Sequence, residues 1–224
     1  MRLILPCSVL EVDVVVAGGH GKVALRLLPL LAERGDRARA LIRNPDHAAD
    51  VRAAGGDPVL CDLEREDDLG PFVDGAGAIV FAAGAGPGSG PERKRTVDLG
   101  GAVKLIEAAR DRGVRRYAIV SSIGAHDPKA GPEQMRPYLE AKAEADRALM
   151  ASGLDWTIVR PGGLTDDEGA GRVTVTTDMS VRGPIPRADV AATLAAVLAN
   201  DATIGKAFVL IEGETPIEEA LDAL

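Results

Sequence analysis

Aromatic side chains are scarce in this sequence, and their scarcity limits what the core can be made of. Phe, Trp and Tyr together make up 3% of the 224 residues, whereas hydrophobic residues make up 46%. The core must therefore be built from Val, Leu, Ile and Ala. Such aliphatic runs are typical of parallel strands that are buried on both faces. A chain of this length fits one domain.

The sequence also has few cysteines, a negative rather than a positive net charge, and no long apolar runs. Two cysteines are too few for a disulfide framework, so we expect reduced thiols and a cytoplasmic location. The net charge of −8 argues against nucleic acid and anionic membranes as partners. No apolar run is long enough to span a bilayer. We expect a small-molecule substrate and no metal, and both a monomer and a homodimer stay open.

Strand-like aliphatic runs alternate with helical patterns along the whole chain. Strands are predicted at 12–18, 37–43, 57–62, 77–84, 115–122, 154–162 and 206–213. Helices are predicted at 22–35, 46–55, 95–113, 136–153, 187–200 and 216–224. This alternation predicts a Rossmann-like, doubly wound parallel sheet in a three-layer α/β/α arrangement. We expect a single domain over 12–224, an N-terminal extension over 1–11, and ligands at the carboxyl ends of the strands.

The turn after the first strand, AGGHGKVA, has the pattern G-x-x-G-x-x-A, formed by Gly18, Gly21 and Ala24. Glycine lets the backbone turn tightly and approach a pyrophosphate, and the following helix N-terminus offers free N–H groups. Because the motif lies on the first strand of an alternating fold, it predicts a dinucleotide site. The alternative for His20 and Lys22 is simple solvent exposure. The predicted cofactor-binding residues here are Gly18, Gly19, His20, Gly21, Lys22 and Val23.

The end of the second strand bears on the choice between NAD and NADP. NAD-specific sites carry Asp or Glu there, which binds the ribose 2′-hydroxyl, but this chain has Arg43. An arginine can clamp a 2′-phosphate with two charged hydrogen bonds, so we predict NADP (NADPH) in preference to NAD. Arg39 on the same strand is expected to be solvated. After the third strand, Asp62 and Leu63 are predicted to meet the adenine, although a helix-capping role for Asp62 is equally open.

From about Val12 to the C-terminus, the chain resembles the atypical short-chain dehydrogenase/reductase group. It is similar to the NAD(P)H-binding subgroup often labelled NAD-dependent epimerase/dehydratase. The blocks that carry the resemblance include VVVAGGHGKVA, FAAGAGPGSG, VDLGGAVKLIEAA, VSSIGAHDPKAGPEQMRPYLEAK and LDWTIVRPGGLTDD. They are specific to the subgroup but not to a substrate.

The resemblance implies roles for residues at the strand ends. Ala82, Ala83 and Gly84 look like the turn that passes the adenine ribose. Ser122 looks like the catalytic serine, with Ser121 as a weaker candidate. Pro161 and Gly162, next to Arg160, look like the segment beside the nicotinamide. Tyr138 and Lys142 match the Y-x-x-x-K motif of the family, which chance alone gives in about one such sequence in twenty.

The implied residues form a chemically sensible set. A carbonyl that accepts a hydride needs a proton, which a tyrosine can donate, although a free phenol has a pKa of about 10. Residues four apart share a helix face, so the Lys142 ammonium can stabilise the phenolate of Tyr138 and also hold the nicotinamide ribose. Ser122 can hydrogen-bond the carbonyl oxygen.

Asp98 departs from the main dehydrogenase group, which has asparagine there. If its carboxylate lies near Lys142, it offsets the ammonium field, so we predict slow or substrate-restricted carbonyl reduction. The alternative for Asp98 is a residue that favours the N-terminal end of a helix dipole.

These observations predict an NADP-dependent oxidoreductase that transfers a hydride to a small carbonyl, quinone or flavin-like acceptor. Alternatives are a nucleotide-sugar-type epimerase or dehydratase and a non-catalytic NADP-sensing protein. Only about sixty residues follow the sixth strand, which is short for a sugar-binding lobe. The predicted substrate-pocket elements are 84–95, 124–137 and 161–186. The Gly/Pro-rich loop 84–93 is expected either to close over the substrate or to be a solvated connection.

Overall fold

The structure is a computed structural model that describes residues 11–86 and 88–224. The predicted extension 1–11, with Cys7, lies outside the described residues except for Glu11, as does Pro87 of the predicted loop. The strands are β1 Asp13–Ala17, β2 Arg37–Ile42, β3 Asp57–Leu60, β4 Ala78–Phe81, β5 Arg116–Val120, β6 Asp155–Pro161, β7 Gly163–Thr165, β8 Arg172–Thr176, β9 Pro184–Pro186, β10 Lys206–Glu212 and β11 Thr215–Pro216.

Helices lie between most of these strands. The α-helices are α1 Ala24–Glu33, α2 Ala48–Ala53, α3 Gly70–Val73, α4 Pro91–Arg93, α5 Ala102–Asp111, α6 Arg136–Met150, α7 Arg187–Ala199 and α8 Ile217–Asp222. A π-helical segment occupies Lys94–Gly101, and short 3₁₀ turns occupy Pro45–His47, Glu133–Met135 and Asp201–Thr203. None of the described helices has the length and apolar character needed to cross a bilayer.

The main sheet has the strand order β11-β8-β10-β6-β5-β4-β1-β2-β3. The part from β3 to β6 has the 3-2-1-4-5-6 order of dinucleotide-binding Rossmann folds, with all neighbours parallel. The prediction of a doubly wound α/β fold is therefore confirmed. The order reverses between β1 and β4, and such a switch point opens a crevice at the carboxyl ends of the strands.

The core lies on both faces of this sheet. Along β1, Val14 and Val16 face one cluster of buried aliphatic residues, whereas Val15 and Ala17 face the other. Side chains alternate between the faces of a strand, so a strand covered on both sides must be apolar throughout. The predicted aliphatic core is confirmed, and it fixes the positions of the turns at the strand ends.

Three local predictions differ from the structure. The predicted helix 95–113 is interrupted, because the π-helical segment with Gly100 and Gly101 precedes α5. The sheet is not wholly parallel, since β8 pairs antiparallel with β10 and β11 at one edge. Arg39 is not solvated: its guanidinium donates to the Asp13 carboxylate at 2.8 Å and to backbone carbonyls, so the charge is paired.

Candidate functional site

The turn after β1 is pressed against the ends of two neighbouring strands. Gly18 has a positive φ of 80°, and a Cβ there would lie 2.6 Å from Ala83 Cα. A Cβ on Gly19 would lie 2.5 Å from Ala40 Cβ, and its N–H donates to the Leu41 carbonyl. Helix α1 begins at Ala24, so its first N–H groups follow the turn directly. The backbone shape therefore fits a phosphate cradle, because only glycine allows this approach.

A first cavity of about 310 Å³ opens beside this turn. It lies between the turn, the ends of β2 and β3, and the segment after β4. Its lining includes the predicted residues Gly18, His20, Gly21, Arg43, Asp62, Leu63, Ala82, Ala83 and Gly84. The structure thus brings together most of the residues predicted to contact the adenosine part of the cofactor.

Charged side chains that the sequence did not single out line the same cavity. The Glu64 carboxylate accepts hydrogen bonds from Arg93 at 3.3 Å and from the Thr96 hydroxyl at 2.6 Å. Arg43 Nη1 lies 3.7 Å from the same carboxylate, and about half of its side chain is exposed. His47 completes this rim. The two guanidinium groups, Arg43 and Arg93, can offer hydrogen bonds to an anionic group, but they share the lining with the carboxylates of Asp62 and Glu64.

His20 and Lys22 are held by partners within the protein. The His20 ring stacks on His47 with 3.6 Å between centroids, and its Nε2 lies 2.8 Å from Asp50 Oδ2. His20 is therefore partly exposed, with its ring held by these two contacts. Lys22 Nζ donates to Asp166 at 2.5 Å and lines neither cavity. This hydrogen bond holds the pKa of Asp166 below its usual value.

The predicted chemical residues line a second cavity of about 600 Å³. Residues 82–85 border both cavities, so the two form neighbouring parts of one crevice. Its lining includes Val23, Asp98, Ser121, Ser122, Tyr138, Lys142, Pro161 and Gly162. The three predicted pocket elements each contribute, through Gly84–Gly86 and Lys94, through Met135, and through Pro161–Leu164.

Lys142 is buried and surrounded by acceptors. Its Nζ donates to the Val120 carbonyl at 3.0 Å and to the Ala83 carbonyl at 3.5 Å, and lies 3.2 Å from Asp98 Oδ1. Burial alone would lower the pKa of Lys142, but the acidic groups of Tyr138 and Asp98 more than offset this effect and raise it. The lysine is therefore held charged, and Asp98 does face it.

Asp98 itself is positioned by the π-helical segment. It is 1% exposed, and its Oδ2 accepts a hydrogen bond from the Ala85 N–H at 3.0 Å. Its Oδ1 lies 3.2 Å from Lys142 Nζ, and this lysine is the one charged group beside it among the described residues. The carboxylate thus links the loop after β4 to the lysine of α6.

Tyr138 lies between two ammonium groups. Lys94 Nζ is 5.6 Å from the centroid of its ring, and Lys142 Nζ is 5.9 Å from it. Lys94 comes from the segment after the Gly/Pro-rich loop, within the predicted pocket element 84–95, although no motif assigns it a role of its own. Cations at this distance are attracted to an aromatic face.

The two serines after β5 are distinguished by their partners. Ser121 is buried, and its hydroxyl donates to Asp146 at 2.9 Å. The same carboxylate accepts from Arg160 at 3.0 Å, and burial raises the pKa of Asp146 although Arg160 and Ser121 oppose that effect. Among the described residues, Ser122 donates only to the Ile123 carbonyl at 3.2 Å, so its hydroxyl is the one available to a ligand.

Two other reactive side chains are held inert by burial. Tyr117 on β5 is fully buried, and this burial raises the pKa of its phenol. Cys61 lines the first cavity, and burial, followed by nearby carboxylates, raises the pKa of its thiol to about 12. Of the two tyrosines, Tyr138 is the one that can exchange a proton with a ligand.

Comparison with known proteins points to a nucleotide-binding family. The model of a family described as NAD(P)H-binding matches residues 18–201. The chain is 41% identical over 213 residues to YhfK of Bacillus subtilis (strain 168), described as an uncharacterized sugar epimerase. That match covers 94% of this chain and 99% of the relative.

Two solved structures share the fold over nearly the whole chain. One is a Bacillus halodurans protein described as an NAD-dependent epimerase/dehydratase, with a TM-score of 0.90 and 40% identity, covering 96% of this chain and 100% of that one. The other is the oxidoreductase ylbE from Lactococcus lactis, with a TM-score of 0.84 and 30% identity, covering 95% and 96%. Both similarities agree with the predicted relation to atypical short-chain dehydrogenases/reductases.

Proposed function

This chain belongs to the NAD(P)H-binding family, and from that premise we propose that it is an NADP-dependent oxidoreductase. In this proposal a hydride passes to a small carbonyl, quinone or flavin-like acceptor. One observation carries the proposal: Ser122, Tyr138, Lys142 and Asp98 line one cavity that adjoins the glycine turn. The L. lactis relative is itself described as an oxidoreductase.

The first cavity supports the preference for NADP over NAD. Gly18, Gly19 and Gly21 would let the pyrophosphate come close to the free N–H groups at the start of α1, since the N–H groups of Gly19 and Gly21 already donate to protein carbonyls. Arg43, with Arg93 beside it, would meet the 2′-phosphate, whose charge competes with the Glu64 carboxylate for the two guanidinium groups. NADPH, when bound, supplies the hydride.

The residues of the second cavity supply what a carbonyl reduction still lacks. Tyr138 would donate a proton from its hydroxyl to the acceptor oxygen, and Ser122 would hold that oxygen by a hydrogen bond. Lys142 is nearly saturated with protein acceptors. Its role would be to stabilise the phenolate left on Tyr138, and Asp98 would weaken that field.

The test of the proposal is Tyr138→Phe, measured with NADPH and a panel of carbonyl, quinone and flavin acceptors. We expect kcat for carbonyls to fall by about 10²- to 10⁴-fold because the proton donor is lost, while NADPH still binds. Tyr117→Phe is the matched control, since that tyrosine lies in the core, away from the cavity. Its carbonyl turnover should equal that of the unaltered protein.

Other results of the same panel point to other functions. Rapid NADPH oxidation that survives Tyr138→Phe would identify a quinone or flavin acceptor, which needs the hydride alone. Conversion of a nucleotide sugar without net NADPH consumption would identify an epimerase. Tight NADPH binding with no turnover of any acceptor would indicate that the protein senses NADP and does not catalyse a reaction.

A further inference from the structure

We propose that the acceptor bound in the second cavity is an anion, a ring-sized apolar molecule that carries a carboxylate. This inference rests on the proposed oxidoreductase function and names the substrate class of the same site. Two cations, Lys94 and Arg187, line the cavity in addition to the buried Lys142. Neither belongs to the predicted catalytic or cofactor-binding set.

The cations of the cavity differ in how far they are neutralised. Lys142 is balanced by Asp98, with 3.2 Å between Nζ and Oδ1. Lys94 makes no ion pair among the described residues, and its ammonium group lies over the ring of Tyr138, 5.6 Å from the centroid. A lysine of this kind, on the wall of a cavity, is available to an anionic ligand.

Arg187 is only partly neutralised. Its Nη1 lies 3.0 Å from Asp166 Oδ1, but Lys22 and Arg26 share that carboxylate at 2.5 Å and 3.6 Å. One carboxylate is therefore shared by three cations. The positive charge of Arg187 is only partly neutralised and still contributes a positive potential in the cavity. Asp98 is the only carboxylate among the residues that line this cavity in the described part of the chain.

The remaining walls suit an apolar ring. Met135 and Leu164 are two of the few large hydrophobic side chains with more than a third of their surface exposed, and both line this cavity. Tyr138 lines the same cavity. A volume of about 600 Å³ is within the range of small-molecule sites. Apolar walls with cations on the rim select an apolar body with an anionic substituent.

The test compares 4-formylbenzoate with its neutral methyl ester as acceptors for NADPH. We expect kcat/KM to favour the carboxylate by about tenfold, which corresponds to one good charge contact. Lys94→Gln should reduce this preference to near unity by raising KM for the carboxylate. Arg95→Gln is the matched control, because it removes the same charge from the next residue, which is exposed and lines neither cavity.

Two outcomes would overturn the inference. The first is equal kcat/KM of the unaltered protein for the two aldehydes. The second is a fall in kcat by the same factor for both aldehydes in Lys94→Gln, which would indicate an effect on Tyr138 instead. If neither aldehyde is reduced, the proposed function fails for these acceptors. In that case, calorimetry should compare the Kd of 4-(hydroxymethyl)benzoate with the Kd of its methyl ester for the NADPH complex. Binding of the carboxylate about tenfold more tightly supports the inference, and equal binding overturns it.

Discussion

At the residue scale, the buried pair of Asp98 and Lys142 determines how much positive charge Tyr138 meets. Both side chains are almost fully buried, and the carboxylate contributes to the raised pKa of the lysine. A main-group dehydrogenase has asparagine at this place and so leaves its lysine unbalanced. The pair therefore explains why we expect slow or substrate-restricted carbonyl reduction.

Asp98→Asn should shift the pH dependence of the reaction. Asparagine can still accept the Ala85 N–H hydrogen bond, but it removes one of the charges that raise the pKa of Lys142. The lysine then loses its proton at lower pH, so the alkaline limb of kcat against pH should move down by about 1 to 3 units. Stopped-flow or steady-state pH profiles with one carbonyl acceptor measure the shift.

Asp111→Asn is the control for this substitution, because it makes the same change at the exposed end of α5. Its pH profile should match that of the unaltered protein. If Asp98→Asn left the profile in place as well, the carboxylate would have no part in setting the charge beside Tyr138.

Tyr117→Phe should stabilise the protein. The Tyr117 hydroxyl is fully buried and has no hydrogen-bond partner among the described residues. A buried, unpaired hydroxyl costs about 1–3 kcal/mol, and phenylalanine removes it without leaving a cavity. We expect the free energy of unfolding in urea to rise by about 1 kcal/mol. A fall in stability would show that the hydroxyl is satisfied in solution.

At the scale of elements, the turn between β1 and α1 joins folding to cofactor binding. Gly18→Ala should abolish tight NADPH binding, because alanine is strained at a φ of 80° and its Cβ would meet Ala83 Cα at 2.6 Å. Gly35→Ala is the control: φ is 84° there, but nothing lies within 4 Å. Each should cost about 1–2 kcal/mol for the backbone conformation.

The close contact should add a further loss only in Gly18→Ala. Fluorescence titration with NADPH should show a more than tenfold weaker Kd for this variant and an unchanged Kd for Gly35→Ala. Equal Kd values for NADPH in both variants would mean that the turn can shift away from Ala83 and still bind the cofactor.

The elements that the sequence predicted are those with long apolar runs. The predicted runs coincide with β1, β2, β4, β5, β6 and β10. A strand that is buried on both faces must be apolar along its whole length, so its sequence is easy to recognise. Strands β7 and β9 have three residues each, too few to show a period. RVTVT in β8 does alternate, but it lies within 161–186, which the sequence predicts as a pocket element.

At the scale of the whole molecule, topology gathers residues that the sequence keeps far apart. The parallel order of strands brings Gly18, Ala83, Ser122 and Pro161 to one edge, and that much follows from the alternation of elements. Hydrogen-bond partners do not follow: no pattern in the sequence pairs Ser121 with Asp146, whose carboxylate accepts from the Ser121 hydroxyl. Lys94, at the start of the π-helical segment, and Arg187, at the start of α7, also reach the cavity, and no motif assigns them a role there.

Cofactor binding stabilises the whole folded molecule, so the rise in Tm with NADPH or with NADH measures the preference between the two cofactors. A ligand that binds only the folded state at 100 times its Kd adds about 2.7 kcal/mol to the free energy of unfolding. For a chain of this size, each kcal/mol raises Tm by about 2–4 °C. We therefore expect NADPH to raise Tm by roughly 5–11 °C, and NADH at the same concentration to raise it less.

The difference between the two cofactors should depend on Arg43. Arg43→Gln removes the guanidinium proposed to meet the 2′-phosphate, so the Tm shift with NADPH should fall to the shift with NADH. Arg52→Gln is the matched control, since Arg52 is exposed and lines neither cavity. Equal shifts in the unaltered protein would contradict the NADP preference. A preference that survives Arg43→Gln would assign the 2′-phosphate to Arg93, the other guanidinium that Glu64 holds at this rim.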